Sequence, residues 1–480
     1  MATESSKTSP IKDSFVTGEN SEGVAFRGHI VRLNRLAVVF EMYNPQAVLR
    51  FSEALAEFKI IVRDKELYSG KAVVRNLLNT GPAVVVCEAT LNENSWSYLD
   101  VSTLNGSPHK WEKEYHDFCA DWQKHYQIRQ EFKLMVADMH TYFTNLRIWL
   151  DHVELGIRAM PAADRQDREI EIATQLGGPT AATFTALFER FEEAVREVPE
   201  ELQAAHQNYV IRQLHPLLLC SPFLHRCFYK PLGYAGDYEM VNMILRNPYE
   251  GNSLYARVVN YWFIKQPPAE AHRNRIDYLT RKLMETTAQA ARGGRVARTL
   301  SVGCGPAQEV QRFLAKYEIS NLAQISLLDF NGETLEYTKS VIDEHKSKFS
   351  RTTDVRYIKK SVHHILKERG RVAEVPAETQ YDFVYCAGLF DYLSNQVCQG
   401  MMNVMYEWVA PGGLLVATNV DPYNARCLTM NYVMDWHLIY RSGAELAALK
   451  STKAAPEDCK IVADSTGVNV FLEVNKPAHV

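Results

Sequence analysis

VARTLSVGCGPAQEVQRFLAKY, residues 296–317, reads as a strand, a turn holding Gly303 and Gly305, and a helix. The same alternation continues downstream. AQISLLDF (323–330) is a strand, GETLEYTKSVIDEHK (332–346) a helix, DVRYIK (354–359) a strand and YDFVYCAGL (381–389) a strand. NQVCQGMMNVMYEWV (395–409) is a helix and GGLLVATNV (412–420) a strand. Strands alternating with helices of this length predict βαβ units and a mostly parallel sheet covered on both faces. CKIVADSTGVNVFLEVNK (459–476) closes the chain with two β-runs around Ser465-Thr466-Gly467, a predicted antiparallel hairpin. The expected fold of 295–480 is therefore α/β and Rossmann-like.

Working outward from this unit, GHIVRL, LAVVFEMY, EFKIIV, KAVVRNLL and AVVVCEATL are short β-prone runs separated by turn formers. They predict a small β-barrel or sandwich over 23–105. Residues 1–22 are Ser/Thr/Lys-rich without periodicity and are expected to form a disordered tail. Beyond Pro108 the period becomes helical. Trp111, Tyr115, Phe118 and Trp122 recur at helical spacing, as do Phe132, Met135, Met139 and Phe143. A helical linker over 106–214 and a helical lid over 215–294 are expected, with a break at Gly177-Gly178-Pro179.

Lys plus Arg (53) against Asp plus Glu (57) leaves a net charge of -4, which gives no basic surface excess for nucleic acid. Nine cysteines without a CxxC pair fit a reducing cytoplasm. No run reaches the ~20 apolar residues of a membrane helix, so no stable membrane insertion is expected.

Two features carry chemistry. Gly303 and Gly305 let the backbone turn tightly at the carboxyl end of a strand, where ligands of open α/β sheets bind. Asp329 ends the next strand, placed to accept hydrogen bonds from the ribose hydroxyls of an adenosine. NAD and S-adenosyl-L-methionine compete for such a cleft. A dinucleotide fingerprint has a third glycine where this chain has Gln308, which leaves less room for a pyrophosphate.

This segment, with YDFVYCAGLFDYL and VAPGGLLVATN, resembles the motif series of class I S-adenosylmethionine-dependent methyltransferases. The resemblance implies that Gly303 and Gly305 face the methionyl and ribose part and that Asp329 binds the ribose. It implies that Ser361 and Val362 flank the adenine, and that Cys386, Ala387 and Gly388 line the transfer zone. Ser301 departs from that family, which often has an acid there; the contact to the methionine amino group must come from a backbone carbonyl or Asp391. Cys386 as a nucleophile is the rival reading, and no paired base is evident for it.

YKPLGYAGDYEM (229–240), SLYARVVN and SVGCGPAQE together resemble the bacterial methyltransferases assigned to 3-hydroxypalmitic acid methyl ester biosynthesis. That similarity implies a helical lid with Tyr234 and Tyr238 near the transfer zone, and a cell-density signalling role. A carboxylic acid, with pKa ~4–5, is already ionised at neutral pH and needs no general base. NYVMDWHLIYR (431–441) is read as a helix, with Trp436 and Tyr440 as an acyl-chain wall and Arg441 as a carboxylate anchor. His363-His364 has no further ligand spacing, and no metal is expected. YSGKAVVRNLLNTG (68–81) resembles PilZ domains. Leu78 stands where their nucleotide-binding forms have serine, and Arg27, Arg32 and Arg35 lack their arginine spacing. Cyclic di-guanylate binding is therefore not expected.

The leading expectation is methylation of a small carboxylic acid, such as a 3-hydroxy fatty acid. Methylation of another small molecule at O or N is the alternative. A regulatory protein using the fold as a sensor is the rival from another class; intact glycines and Asp329 count against it. The oligomeric state is left open.

Overall fold

The computed structural model describes residues 14–43, 47–62, 65–81, 84–92, 95–97, 115, 116, 119, 127–368 and 380–478. Six strands close a barrel: β1 (Ser14–Glu19), β2 (Ala25–Leu33), β3 (Ala37–Tyr43), β4 (Ala54–Val62), β5 (Lys65–Gly81) and β6 (Val84–Leu91). Their order is β1-β2-β3-β6-β5-β4. In β2 Phe26, Gly28 and Ile30 are buried and Ala25, Arg27 and His29 exposed, the period of two that the sequence displays. The expected boundary at residue 22 is not found, and residues 1–13 lie outside the described residues. Ser14–Glu19 pairs with both β2 and β4, because SFVTGE supplies alternating inward Ser14 and Val16 that close the barrel.

Helices α1 (Gln130–Arg158), α2 (Ala162–Arg196), α3 (Gln203–Leu218), α4 (Pro222–Tyr229), α5 (Tyr238–Leu245), α6 (Leu254–Ile264) and α7 (Pro267–Arg292) follow. Trp111, Phe118 and Trp122 lie outside the described residues, and Tyr115 is exposed. Phe132, Met135, Met139 and Phe143 are buried as their spacing predicts. They share one core with Phe184, Phe188 and Trp262, so α3 crosses position 214/215 without a break between linker and lid. The Gly177-Gly178-Pro179 break is not found. Helix α2 runs through it, with the Tyr261 ring packed on Gly177 so closely that a Cβ there would meet it at 2.9 Å. Burial against α6 outweighs the local helix-breaking preference of the three residues.

The C-terminal layer contains β7 (Ala297–Val302), α8 (Gln308–Lys316), β8 (Ala323–Asp329), α9 (Gly332–Lys348), β9 (Asp354–Lys359), α10 (Val362–Glu368) and β10 (Tyr381–Cys386). It continues with α11 (Asn395–Trp408), β11 (Val409–Val420), α12 (Cys427–Val433), α13 (Gly443–Ala448), β12 (Cys459–Ala463) and β13 (Asn469–Asn475). The sheet order is β12-β13-β11-β10-β7-β8-β9. Strands β7 to β11 are parallel, and β13 runs antiparallel between β11 and β12. The chain reverses its direction of travel across the sheet between β7 and β10, which opens a crevice at their carboxyl ends. Among the described residues no helix is long and apolar enough to cross a membrane.

The barrel is docked onto the other layers. Ala54 N–H donates to Gly233 O (2.8 Å), and Ser52 Oγ donates to His437 O (2.9 Å). Beneath this contact Lys230, with its ammonium fully buried, donates to Asp435 O (2.8 Å), while Asp435 Oδ1 accepts from Gln207 (3.0 Å) and pairs with His437 (2.9 Å).

Candidate active site

After β7 the backbone of Gly303 and Gly305 takes φ values of +68° and +50°, conformations that favour glycine. Gly303 and Cys304 donate their N–H groups to Leu328 O (2.8 and 3.0 Å), tying the turn to the end of β8. Asp329 then locks it: its carboxylate accepts from Gly305 N–H (3.1 Å) and Asn331 N–H (3.0 Å). A Cβ on Gly305 would meet nothing within 4 Å, so the space beside it is open to a ligand. Burial holds the Asp329 carboxyl above the usual carboxylate range, opposed by those two N–H groups. Each of its oxygens keeps a lone pair free to accept a further hydrogen bond.

One cavity runs from this turn past Ala387 and Gly388 to the lid. Of the expected cofactor residues, Gly303, Gly305, Asp329, Val362, Ala387 and Gly388 line it. Cys386 and Ser361 do not. Cys386 is the last residue of β10, buried against Phe390 and α11 where burial pushes its thiol far up, which removes the nucleophile reading. Ser361 Oγ turns instead to His364 Nδ1 (2.9 Å). Among the described residues no group of three His, Cys, Asp or Glu side chains could hold a metal ion.

Tyr234 and Tyr238 both line the cavity, at the Asp329 end. The Tyr234 ring sits 5.2 Å from that of Phe330; Tyr238 stacks on Tyr337 at 4.5 Å and donates to Glu333 (3.0 Å). Asp237 caps α5 and accepts from Arg226 Nε (2.8 Å). The two tyrosines therefore latch the lid to α9.

Arg441 is misplaced by the sequence reading. Helix α12 stops at Val433, Asp435 takes φ +49°, and 435–442 runs without helix, so the helix expected to carry Trp436, Tyr440 and Arg441 does not extend to them. The Arg441 guanidinium donates to Phe390 O (2.8 Å), Leu393 O (2.6 Å) and Asn419 Oδ1 (2.7 Å), all away from the cavity. It ties the loop after β10 to β11. Trp436 does line the cavity, donating to Tyr392 Oη (3.0 Å).

A buried cation beside Gly388 is Arg275, on α7, which no local signal marks. It is 8% exposed, lies against Gly388 so closely that a Cβ there would meet Nη1 at 2.9 Å, and leaves Nη1 without a partner. Glu309 and Asp391 flank it, and both line the cavity near Ser301. They supply the negative charge that Ser301 lacks. Glu309 accepts from Tyr385 Oη (2.7 Å), and burial holds its carboxyl high. Asp391 accepts from Val420 N–H (2.8 Å); burial raises its pKa to about 6, against the opposing pull of Val420 N–H, Arg275 and Arg441.

One turn before Arg275, His272 Nδ1 contacts Pro268 O (3.1 Å). A carbonyl only accepts, so Nδ1 carries the proton and Nε2 is left with its lone pair. Burial and Arg275 press the His272 pKa down to about 3, so the ring is neutral. Beyond it the cavity becomes an apolar chamber walled by Phe223, Ile244, Trp262, Phe263, Met434 and Trp436, with Arg426 and Gln266 paired at its rim (2.9 Å).

The strand order, the glycine turn and Asp329 agree. The fold is that of class I methyltransferases. No protein-family model and no curated protein sequence matches the chain. Among solved structures, a possible exported protein from Bordetella parapertussis is similar over 64% of this chain and 97% of its own, at 15% identity and a TM-score of 0.40. Magnesium protoporphyrin IX methyltransferase from Synechocystis, with bound SAH, matches 45% of this chain and 87% of its own, at 10% identity and a TM-score of 0.32. An O-methyltransferase family protein from Burkholderia thailandensis matches 54% and 72%, at 13% identity and a TM-score of 0.31.

The acids make a pH prediction. If the Asp391 carboxylate receives a cationic ligand group, protonation below about 6 removes the attraction. Affinity for S-adenosylhomocysteine should then be flat from pH 7 to 8 and fall by up to about tenfold per unit below 6. Calorimetry across this range checks it, and Asp391→Asn should flatten the profile. An unchanged slope in that variant would assign the titration elsewhere.

Proposed function

We propose that the protein is an S-adenosylmethionine-dependent methyltransferase that esterifies a small carboxylic acid with an apolar body. The observation that carries this reading is the charge pattern beside Gly388. Arg275 and the pair Glu309 and Asp391 stand together at one end of a cleft whose other end is Asp329. A cation next to two carboxylates complements the carboxylate and ammonium of an amino acid, and Asp329 complements a ribose. S-Adenosylmethionine has both groups and NAD has no amino acid.

Bound there, S-adenosylmethionine supplies an electrophilic methyl group on a sulfonium. The chain's own work is placement. Asp329 and Arg275 hold the two ends of the donor, Gly388 leaves room at the junction with the chamber, and the lid keeps water out. An alcohol or amine acceptor would need a base to take its proton; His272, near 3, is too weak for that task, and in this reading Asp391 and Glu309 are engaged by the donor's ammonium beside Arg275. A carboxylate needs none. The chamber of Trp262, Phe263, Met434 and Trp436 fits an acyl chain, which supports a fatty acid such as a 3-hydroxy acid as acceptor.

The test is transfer of a labelled methyl group to 3-hydroxy fatty acids, with the product treated with mild alkali. An ester hydrolyses and releases labelled methanol, whereas ethers and N-methyl groups survive. A base-stable product would reject carboxyl methylation and leave methyl transfer standing.

A further inference from the structure

We propose that the N-terminal barrel is a working part of the methyl-donor site, because its Arg50 closes the adenosine end of the cleft. This rests on the donor reading above. Arg50 lies on the connection between β3 and β4, some 280 residues before Asp329 in the chain. Both Arg50 and Phe51 line the cavity. The guanidinium carbon stands 4.4 Å from the centre of the Phe330 ring, the residue after Asp329. Arg50 is 4% exposed, and its Nε–H is buried with no partner. A buried N–H left without an acceptor is costly, so a ligand acceptor placed there recovers that loss.

The arginine is built into position from both sides. On the barrel side Nη2 pairs with Glu22, and the fully buried Glu53 accepts from Arg50 N–H (2.8 Å) and Ser21 N–H (2.7 Å). On the other side Phe51 N–H donates to Tyr392 O (3.3 Å), and Ser52, at φ +57°, bonds His437. The loop thus spans the barrel and the methyltransferase layer as a fixed bridge. Adenosine presents ring-nitrogen and ribose-oxygen acceptors and a flat face, and an arginine N–H beside an aromatic ring suits all three. Donor binding and barrel docking are then linked: whatever displaces the barrel weakens the donor, and the donor holds the barrel in place.

The experiment is calorimetry on the full chain with S-adenosylhomocysteine and with methylthioadenosine, which keeps the adenosine half and lacks the amino acid. Arg50→Lys keeps the charge beside Glu22 but has no Nε–H, and it should bind both compounds about tenfold more weakly. Lys59→Gln breaks only the exposed Lys59–Glu66 pair on the barrel (2.9 Å) and should change neither by more than about twofold. Wild-type affinity in Arg50→Lys, or a loss confined to S-adenosylhomocysteine, overturns the assignment. An equal loss in Lys59→Gln also overturns it, since the effect would then come from the barrel's general stability and not from Arg50. A wild-type chain that binds neither compound overturns the donor reading itself, and this proposal with it.

Discussion

Replacing Asp329 with alanine is expected to weaken S-adenosylmethionine binding by roughly 10- to 150-fold, about 1.5–3 kcal/mol, the range of hydrogen bonds to a charged group. Two losses combine. The ribose loses its carboxylate acceptors, and the glycine turn loses the anchor on Gly305 N–H, 3.1 Å away. Asp329→Asn keeps one acceptor oxygen and should fall between wild type and alanine. The sheet should stand, since the turn keeps the Gly303 and Cys304 bonds to Leu328 O. Calorimetry with S-adenosylhomocysteine, beside a thermal melt, reads both quantities. Unchanged affinity in the alanine variant, or a preference of the wild type for NAD, would remove this site.

Arg275→Met should separate activity from stability. Its guanidinium is buried, and Nη1 has no protein partner. Burial presses the guanidinium pKa down, which records the cost of keeping the charge there. Methionine fills a similar volume without that desolvation, so the variant should unfold at a higher denaturant concentration, by about 1 kcal/mol. Transfer should fall by about a hundredfold or more, because the donor's carboxylate loses its counter-ion and its methyl group its alignment. Asp391 and Glu309, now without the nearby cation, should titrate at still higher pH and moderate the gain. A variant that is both less stable and fully active would make Arg275 a structural ion. Sites that trade stability for function give the opposite pattern.

The parts legible from the chain are those whose signal is local. The strand–turn–helix at 296–317, Asp329 at a strand end and the 459–476 hairpin each declare themselves within about twenty residues, through period and turn chemistry. The barrel was legible for the same reason, except its first strand, whose polar SFVTGE acquires meaning only from its pairing with β2 and β4. Local propensity misled where burial overrode it. Gly177-Gly178-Pro179 stays helical under Tyr261, and 435–441 leaves the helix although its spacing suits one.

By itself, then, the sequence determined the methyltransferase-like sheet, its glycine turn and the carboxylate that ends β8, since hydrophobic period and backbone sterics act over short spans. Only the tertiary structure decided which charges face the cleft. Arg275 and His272 sit on an amphipathic helix with nothing local to set them apart, and Arg50 arrives from another domain. Arg441, which the sequence favoured, is turned into a buried bracing network. The reason is physical: a long side chain finds its partners through packing between elements distant in sequence, and the cost of burying its charge is settled only there.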